Sequence, residues 1–187
     1  FRAMLMKNAG LAFAQEQARV DERAIEVSLE KTGTDPQDLA IILGEAKALD
    51  VSERNLDALV IGSDQTLSLG DAVLHKAGTP EEARRRLQQL SGRTHQLNSS
   101  VVLARNGETL WRHISVARLT MRSLTPAFIG RHLAQTGQKV LGSVGCYQFE
   151  AEGLQLFEAI EGDYFTIVGL PLLPLLSYLS QRGFIET

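Results

Sequence analysis

The sequence predicts an α/β or α+β chain in which helices flank a mixed β-sheet. Three observations carry that expectation. Helical apolar stripes alternate with short extended runs along the chain, two segments meet at an Asn-Gly turn, and the clearest apolar run ends in glycine followed shortly by an acid. At 187 residues the chain can bury a sizeable core. No internal repeat, low-complexity linker or compositional boundary divides it, so residues 1–187 are read as one domain.

Residues 2–9 read as a short helix, with Gly10 placed to take the left-handed conformation that ends it. Asp35 before Pro36 supplies a cap and a proline at the first helical position; Leu39, Ile42, Leu43, Ala46 and Leu49 then recur at helical spacing. Residues 56–62 are short, apolar and glycine-terminated, as a buried strand would be. Thr79-Pro80-Glu81-Glu82 combines cap, proline and capping-box glutamate, Ala83, Leu87 and Leu90 continue the helix, and Ser91-Gly92 stops it. Leu97, Ser99, Val101 and Leu103 alternate with a period of two, which predicts a strand buried on one face. Asn106-Gly107 suits a hairpin turn because both residues accept positive φ, and it leads to a strand near residues 110–119. Thr125-Pro126 opens another helix, and an apolar helix over residues 172–181 closes the pattern.

Composition narrows the function classes. The chain is 44% hydrophobic and 22% charged, as ordinary globular proteins are. A net charge of −3 disfavours a nucleic-acid polymer as partner, since phosphate binding calls for a basic excess. One anionic ligand held by a few cations in a cleft remains compatible. Cys146 is the only cysteine, so no intrachain disulfide can form and a reducing, cytoplasmic setting is expected. The longest apolar stretch, residues 167–179, is broken by Gly169, Pro171, Pro174 and Ser177, so no membrane span is expected. No signal-peptide pattern opens the chain. Phe1 stands where a start methionine would, and no strand precedes it, so the natural N-terminus is expected to lie upstream.

Three features could carry chemistry. Asp64, in Gly62-Ser63-Asp64-Gln65-Thr66, leaves a buried strand, a position that holds a carboxylate rigidly yet lets it face a cleft as base or metal ligand. Taken alone, such an Asp more often caps a turn. Arg2, Lys47, Lys76 and Arg93 are cations on separate elements; converging, they would neutralise a triphosphate and the charge that builds on leaving pyrophosphate. Individually, each is the kind of residue usually solvated at a surface. Residues 142–153 place three glycines around Tyr147, Glu150 and Glu152, as in a loop whose backbone closely approaches a ligand, or in a tight connection with a packed tyrosine. No P-loop, dinucleotide fingerprint or zinc spacing is present, and His75, His95, His113 and His132 form no recognisable metal set.

The order of several short segments is more specific than any one of them. Val20-Asp21-Glu22, Glu45-Ala46-Lys47-Ala48, Ile61-Gly62-Ser63-Asp64-Gln65 and Leu74-His75-Lys76 with Glu81-Glu82-Ala83 come first. Leu90-Ser91-Gly92-Arg93-Thr94-His95, Val144-Gly145-Cys146-Tyr147 with Glu150, and Val168-Gly169-Leu170-Pro171-Leu172 follow. Together they resemble the Maf family of nucleotide pyrophosphatases over nearly the whole chain. The resemblance implies an elongated, two-lobed, inosine-triphosphatase-like α/β fold with a mixed sheet and a central nucleotide cleft. It also implies hydrolysis of a nucleoside triphosphate to monophosphate and pyrophosphate, with Mg²⁺ or Mn²⁺ as cofactor. Carried over, Asp64 is the proton acceptor that activates water, Glu22 and Asp64 hold the metal, and Arg2, Lys47 and Lys76 contact phosphates. A homodimer is a further expectation. The family normally begins with a strand and a Ser-x-Arg-Arg loop, of which the strand and the Ser are absent here, and Ala77 replaces a proline that commonly follows the second lysine.

Base preference is expected to rest on Phe1, Gln65 and Glu150. Relatives acting on dTTP and UTP typically carry Arg, Thr and Gln at those places, whereas the aromatic, Gln and Glu here resemble the subfamily preferring 7-methyl-GTP. An aromatic ring stacks well on a cationic methylated purine, and a carboxylate can accept from the guanine N1–H and N2–H. That preference implies house-cleaning of modified nucleotides. The alternatives are a broad or dTTP/UTP-preferring pyrophosphatase, and a nucleotide-binding regulator of cell division without turnover.

Overall fold

The computed structural model describes residues 1–30 and 32–186. Two short helices, α1 (Arg2–Asn8) and α2 (Glu22–Leu29), precede the long α3 (Pro36–Arg54). Asp35 caps α3 by accepting from the backbone N–H groups of Gln37 and Asp38, both at 2.8 Å. Next come β1 (Val60–Gly62), β2 (Gln65–Leu69), β3 (Ala72–Leu74), α4 (Pro80–Leu90), β4 (Thr94–Arg105), β5 (Glu108–Met121) and α5 (Pro126–Thr136). Two 3₁₀ turns, Gly137–Gly142 and Glu152–Leu156, lead to β6 (Phe157–Glu161), α6 (Tyr164–Val168) and α7 (Leu172–Gln181). The expected caps are made: Thr79 accepts from Glu82 N–H, and Thr125 from Phe128 N–H, each at 3.2 Å.

The strands form one sheet in the order β3-β2-β4-β5-β6, and β1 lies along the same edge of β4 as β2. The helix-flanked α/β class is as the sequence predicts. Within it, every strand pairing among the described residues is antiparallel, where both directions were expected. Two-residue turns explain this for two of the pairs: Asn106-Gly107, with φ of 53° and 75°, joins β4 to β5, and Gly70-Asp71 joins β2 to β3.

Two sequence expectations are corrected. The strand over residues 56–62 shortens to β1, because α3 runs to Arg54 and a turn follows in which Asp57 has φ of 64°. β4 was expected to bury one face but buries both, from Leu97 to Ala104. Val102 and Ala104 meet Ala48 of α3 on one face, while Val101 and Leu103 meet Leu170 and Leu175 on the other.

The apolar interior divides along this central strand into two larger cores beside the small cluster of Ala48, Val102 and Ala104. One core gathers Leu67, Leu87, Leu90, Leu97, Leu119, Ile129 and Leu156. The other joins Leu5 and Met6 of α1 to Val101, Leu103, Leu172, Leu175 and Leu179. Between them β4 is polar: Asn98 donates to Thr66 Oγ1 and Ser68 Oγ, Ser99 to the Thr166 carbonyl and Ser100 to the Ala40 carbonyl. Such pairing offsets most of the cost of burying these groups, although Asn98 Oδ1 has no partner among the described residues. Among the described residues no helix is long and apolar enough to cross a membrane.

Candidate active site

Asp64 lies at the break between β1 and β2. Its carbonyl accepts from Ser100 N–H at 2.9 Å and its N–H donates to Ser100 Oγ at 3.1 Å, so the central strand fixes its backbone. The side chain is buried, and Oδ1 accepts from Lys47 Nζ at 2.6 Å. Lys47 projects from α3, which approaches β4 closely because Gly44 is bare: a Cβ there would sit 2.6 Å from Ser100 Oγ. The same ammonium lies 3.0 Å from Glu22 Oε1 at the start of α2. Asp21, the other half of that acidic pair, caps α2 instead, accepting from Ala24 N–H at 2.9 Å.

Arg2 reaches the site from the first helix, α1, and meets there a backbone group from near the other end of the sequence. Its Nε donates to the Gly169 carbonyl at 2.8 Å and its Nη1 to the Ser63 carbonyl at 3.1 Å, which locks the guanidinium beside Asp64. Burial lowers its pKa, and the charges of Asp64 and Glu22 oppose that shift. Gln65 is oriented by its amide nitrogen, which lies 2.9 Å from Ser99 Oγ and 3.1 Å from the carbonyls of Thr166 and Ile167.

All eight residues named for catalysis, phosphate, metal and base line one cleft of about 890 Å³: Phe1, Arg2, Glu22, Lys47, Asp64, Gln65, Lys76 and Glu150. Phe1, Lys76 and Glu150 are exposed, while Asp64 is buried. Arg93 is the cation that does not join them; it sits at the far end of β4, outside the lining.

Other features of the cleft were not singled out from the sequence. Arg23 and Glu26 of α2 also line it, with Glu26 Oε1 3.5 Å from His75 Nδ1. The glycine loop is braced from behind: Tyr147 Oη lies 2.7 Å from His95 Nε2, Arg86 donates to the Val144 carbonyl at 2.8 Å, and Ser143 Oγ bonds the backbone of Tyr147. Burial pushes His95 down to about 4, so it is neutral at pH 7. A hidden aromatic pair of this kind leaves no spacing signal, because His95 and Tyr147 are 52 positions apart.

Among the described residues no three His, Cys, Asp or Glu side chains converge as a ready-made metal cage. Asp64 and Glu22 nevertheless present hard carboxylate oxygens toward a single cation, Lys47 Nζ. Mg²⁺ is commonly bound by one or two carboxylates together with substrate phosphates and water, so this pair fits such an ion.

Residues 1–182 match the family profile described as Maf-like protein. The chain is 59% identical over 186 residues to the 7-methyl-GTP pyrophosphatase of Brucella abortus, covering 100% of this chain and 94% of that protein. Identity to the protein of the same name from Mesorhizobium japonicum is 61%, with the same coverage. The nucleoside triphosphate pyrophosphatase of Caulobacter vibrioides is 47% identical over 182 residues, 97% of this chain and 91% of that protein.

Proposed function

The chain belongs to the Maf-like protein family, and from that membership we propose that it hydrolyses a nucleoside triphosphate to the monophosphate and pyrophosphate, preferring 7-methyl-GTP. One observation supports this most: buried Asp64, its lysine and arginine neighbours, and the Phe1–Gln65–Glu150 set share a single cleft.

In this reading Asp64 accepts the proton of the attacking water while the anhydride between the α and β phosphates breaks. Without ligand, its Oδ1 accepts from Lys47, and Oδ2, which accepts from no protein group among the described residues, is the oxygen available to that water. Arg2, Lys47 and Lys76 take up negative charge on the phosphates, and the backbone bonds of Arg2 keep its guanidinium from having to reorganise as that charge grows. A divalent ion, Mg²⁺ or Mn²⁺, held by Glu22 and Asp64 would supply further charge neutralisation at the phosphoryl oxygens. Phe1 stacks on the cationic base, Glu150 accepts from the guanine edge, and Gln65, anchored by its nitrogen, offers its carbonyl oxygen. The role is house-cleaning of modified nucleotides. The single cysteine, Cys146, free and buried, supports a reducing, cytoplasmic setting.

The test is kcat/KM for 7-methyl-GTP, GTP, dTTP and UTP, with products separated, in the natural protein and in Glu150→Gln. We expect 7-methyl-GTP to lead and pyrophosphate to be released. The variant should lose about 1–2 kcal/mol on the purines, because a charged acceptor becomes a neutral one. Equal losses on all four substrates would remove Glu150 from base recognition. Release of orthophosphate would overturn the reaction itself, and binding without turnover would make the protein a regulator.

A further inference from the structure

We propose that Lys47 is the resident counter-ion of the Asp64–Glu22 pair, and that a divalent ion enters by displacing its ammonium, which then turns to the substrate phosphates. This rests on the metal reading above and adds an order of events to it.

The carboxylate oxygens that Lys47 occupies, Asp64 Oδ1 at 2.6 Å and Glu22 Oε1 at 3.0 Å, come from the pair of acids that a hard cation would use. With Arg2 beside Asp64 the two carboxylates are balanced by two monovalent cations, and of these Lys47 is the one that ion-pairs with both acids, so a divalent ion that takes its place leaves the ammonium free to meet an incoming anion. The protein can make the exchange without refolding. Asp64 is fixed by Ser100, but Glu22 has a half-exposed side chain on α2, a helix with no buried residue. Lys47 carries its charge on a flexible four-carbon stem. Its ion pairs among the described residues are these two, so an evicted ammonium meets the incoming phosphates as its next anion. Metal entry and phosphate capture thereby become coupled: each makes the other more favourable.

The experiment measures Mn²⁺ binding to the whole protein without nucleotide, by calorimetry and by electron paramagnetic resonance of free Mn²⁺. Lys47→Met removes the competitor while keeping the length of the stem, and should bind Mn²⁺ about tenfold more tightly than the natural protein, since the ion now relieves two unpaired carboxylates. Adding Asp64→Asn to that variant should abolish the gain. Lys47→Gln replaces Lys47→Met if thermal unfolding shows the latter is not folded. A Lys47 variant that binds Mn²⁺ no more tightly than the natural protein would overturn the displacement, because lysine and metal would then be neighbours rather than competitors. A gain that survives Asp64→Asn would overturn it too, by placing the ion elsewhere. Full turnover of the natural protein after EDTA treatment would sink the metal reading and this proposal together, whereas the variant comparison can fail alone.

Discussion

At Asp64 a backbone tied to the central strand meets a side chain that, among the described residues, ion-pairs with one cation, Lys47. That combination separates structural from chemical loss on mutation. Asp64→Asn keeps the size and the acceptor for Lys47 but cannot take a proton from water, so turnover should fall by about 10²–10⁴-fold with nucleotide binding and thermal stability largely kept. Single-turnover kinetics beside a melting curve checks this; retained activity would make Asp64 a structural residue. At this scale the local pattern offered Asp64 and Lys47 only as candidates, since a strand-end Asp more often caps a turn and a lone Lys is usually solvated; it was the family resemblance that joined them into one expected site. Arg2 shows what was hidden. Its two backbone partners, Gly169 and Ser63, lie 167 and 61 positions away, and no local pattern reports a bond of that span.

Among the elements, the turn after Ser143 forms the cleft wall, and Gly145 decides its shape. A Cβ at that position would lie 2.6 Å from Tyr147 Cζ, and the ring cannot retreat because Phe157 and His95 pack against it. Gly145→Ala should therefore destabilise the protein by about 1–3 kcal/mol and raise KM for the nucleotide more than it lowers kcat. Urea unfolding with steady-state kinetics measures both; unchanged stability and KM would show that the turn tolerates the methyl. Elements with strong local chemistry were legible: the caps at Asp35, Thr79 and Thr125, the Asn106-Gly107 hairpin, and α7, whose bounds match the helix expected over residues 172–181. Those that depend on partners were not. α2 has no fully buried residue, its Ile25 and Leu29 being only partly covered, and β3 is three residues long and held by pairing with β2.

For the molecule as a whole, buried His95 sets an acid limit. Its pKa is depressed to about 4 from 6.5, so between those values the unfolded chain binds more protons than the folded one. Stability is then full above the unfolded pKa and falls as pH drops through this window, by about 2 kcal/mol at pH 5. His113 and His132, also lowered by burial, act in the same direction. Urea midpoints at pH 7.5 and 5 should show the fall, and His95→Gln should flatten it; an equal fall in the variant would assign it to other groups. The division of the interior has a temporal consequence as well. The core around Leu67, Leu97 and Leu156 draws on residues 67–167, but the other needs Leu5 and Met6 together with Leu172, Leu175 and Leu179. The first closes within a contiguous stretch of about a hundred residues, whereas the second must bring the two ends of the sequence together, the slower kind of contact to form. Because Arg2 donates to the Gly169 carbonyl, the end of the cleft that holds Arg2 gains that anchor only once residue 169 is in place.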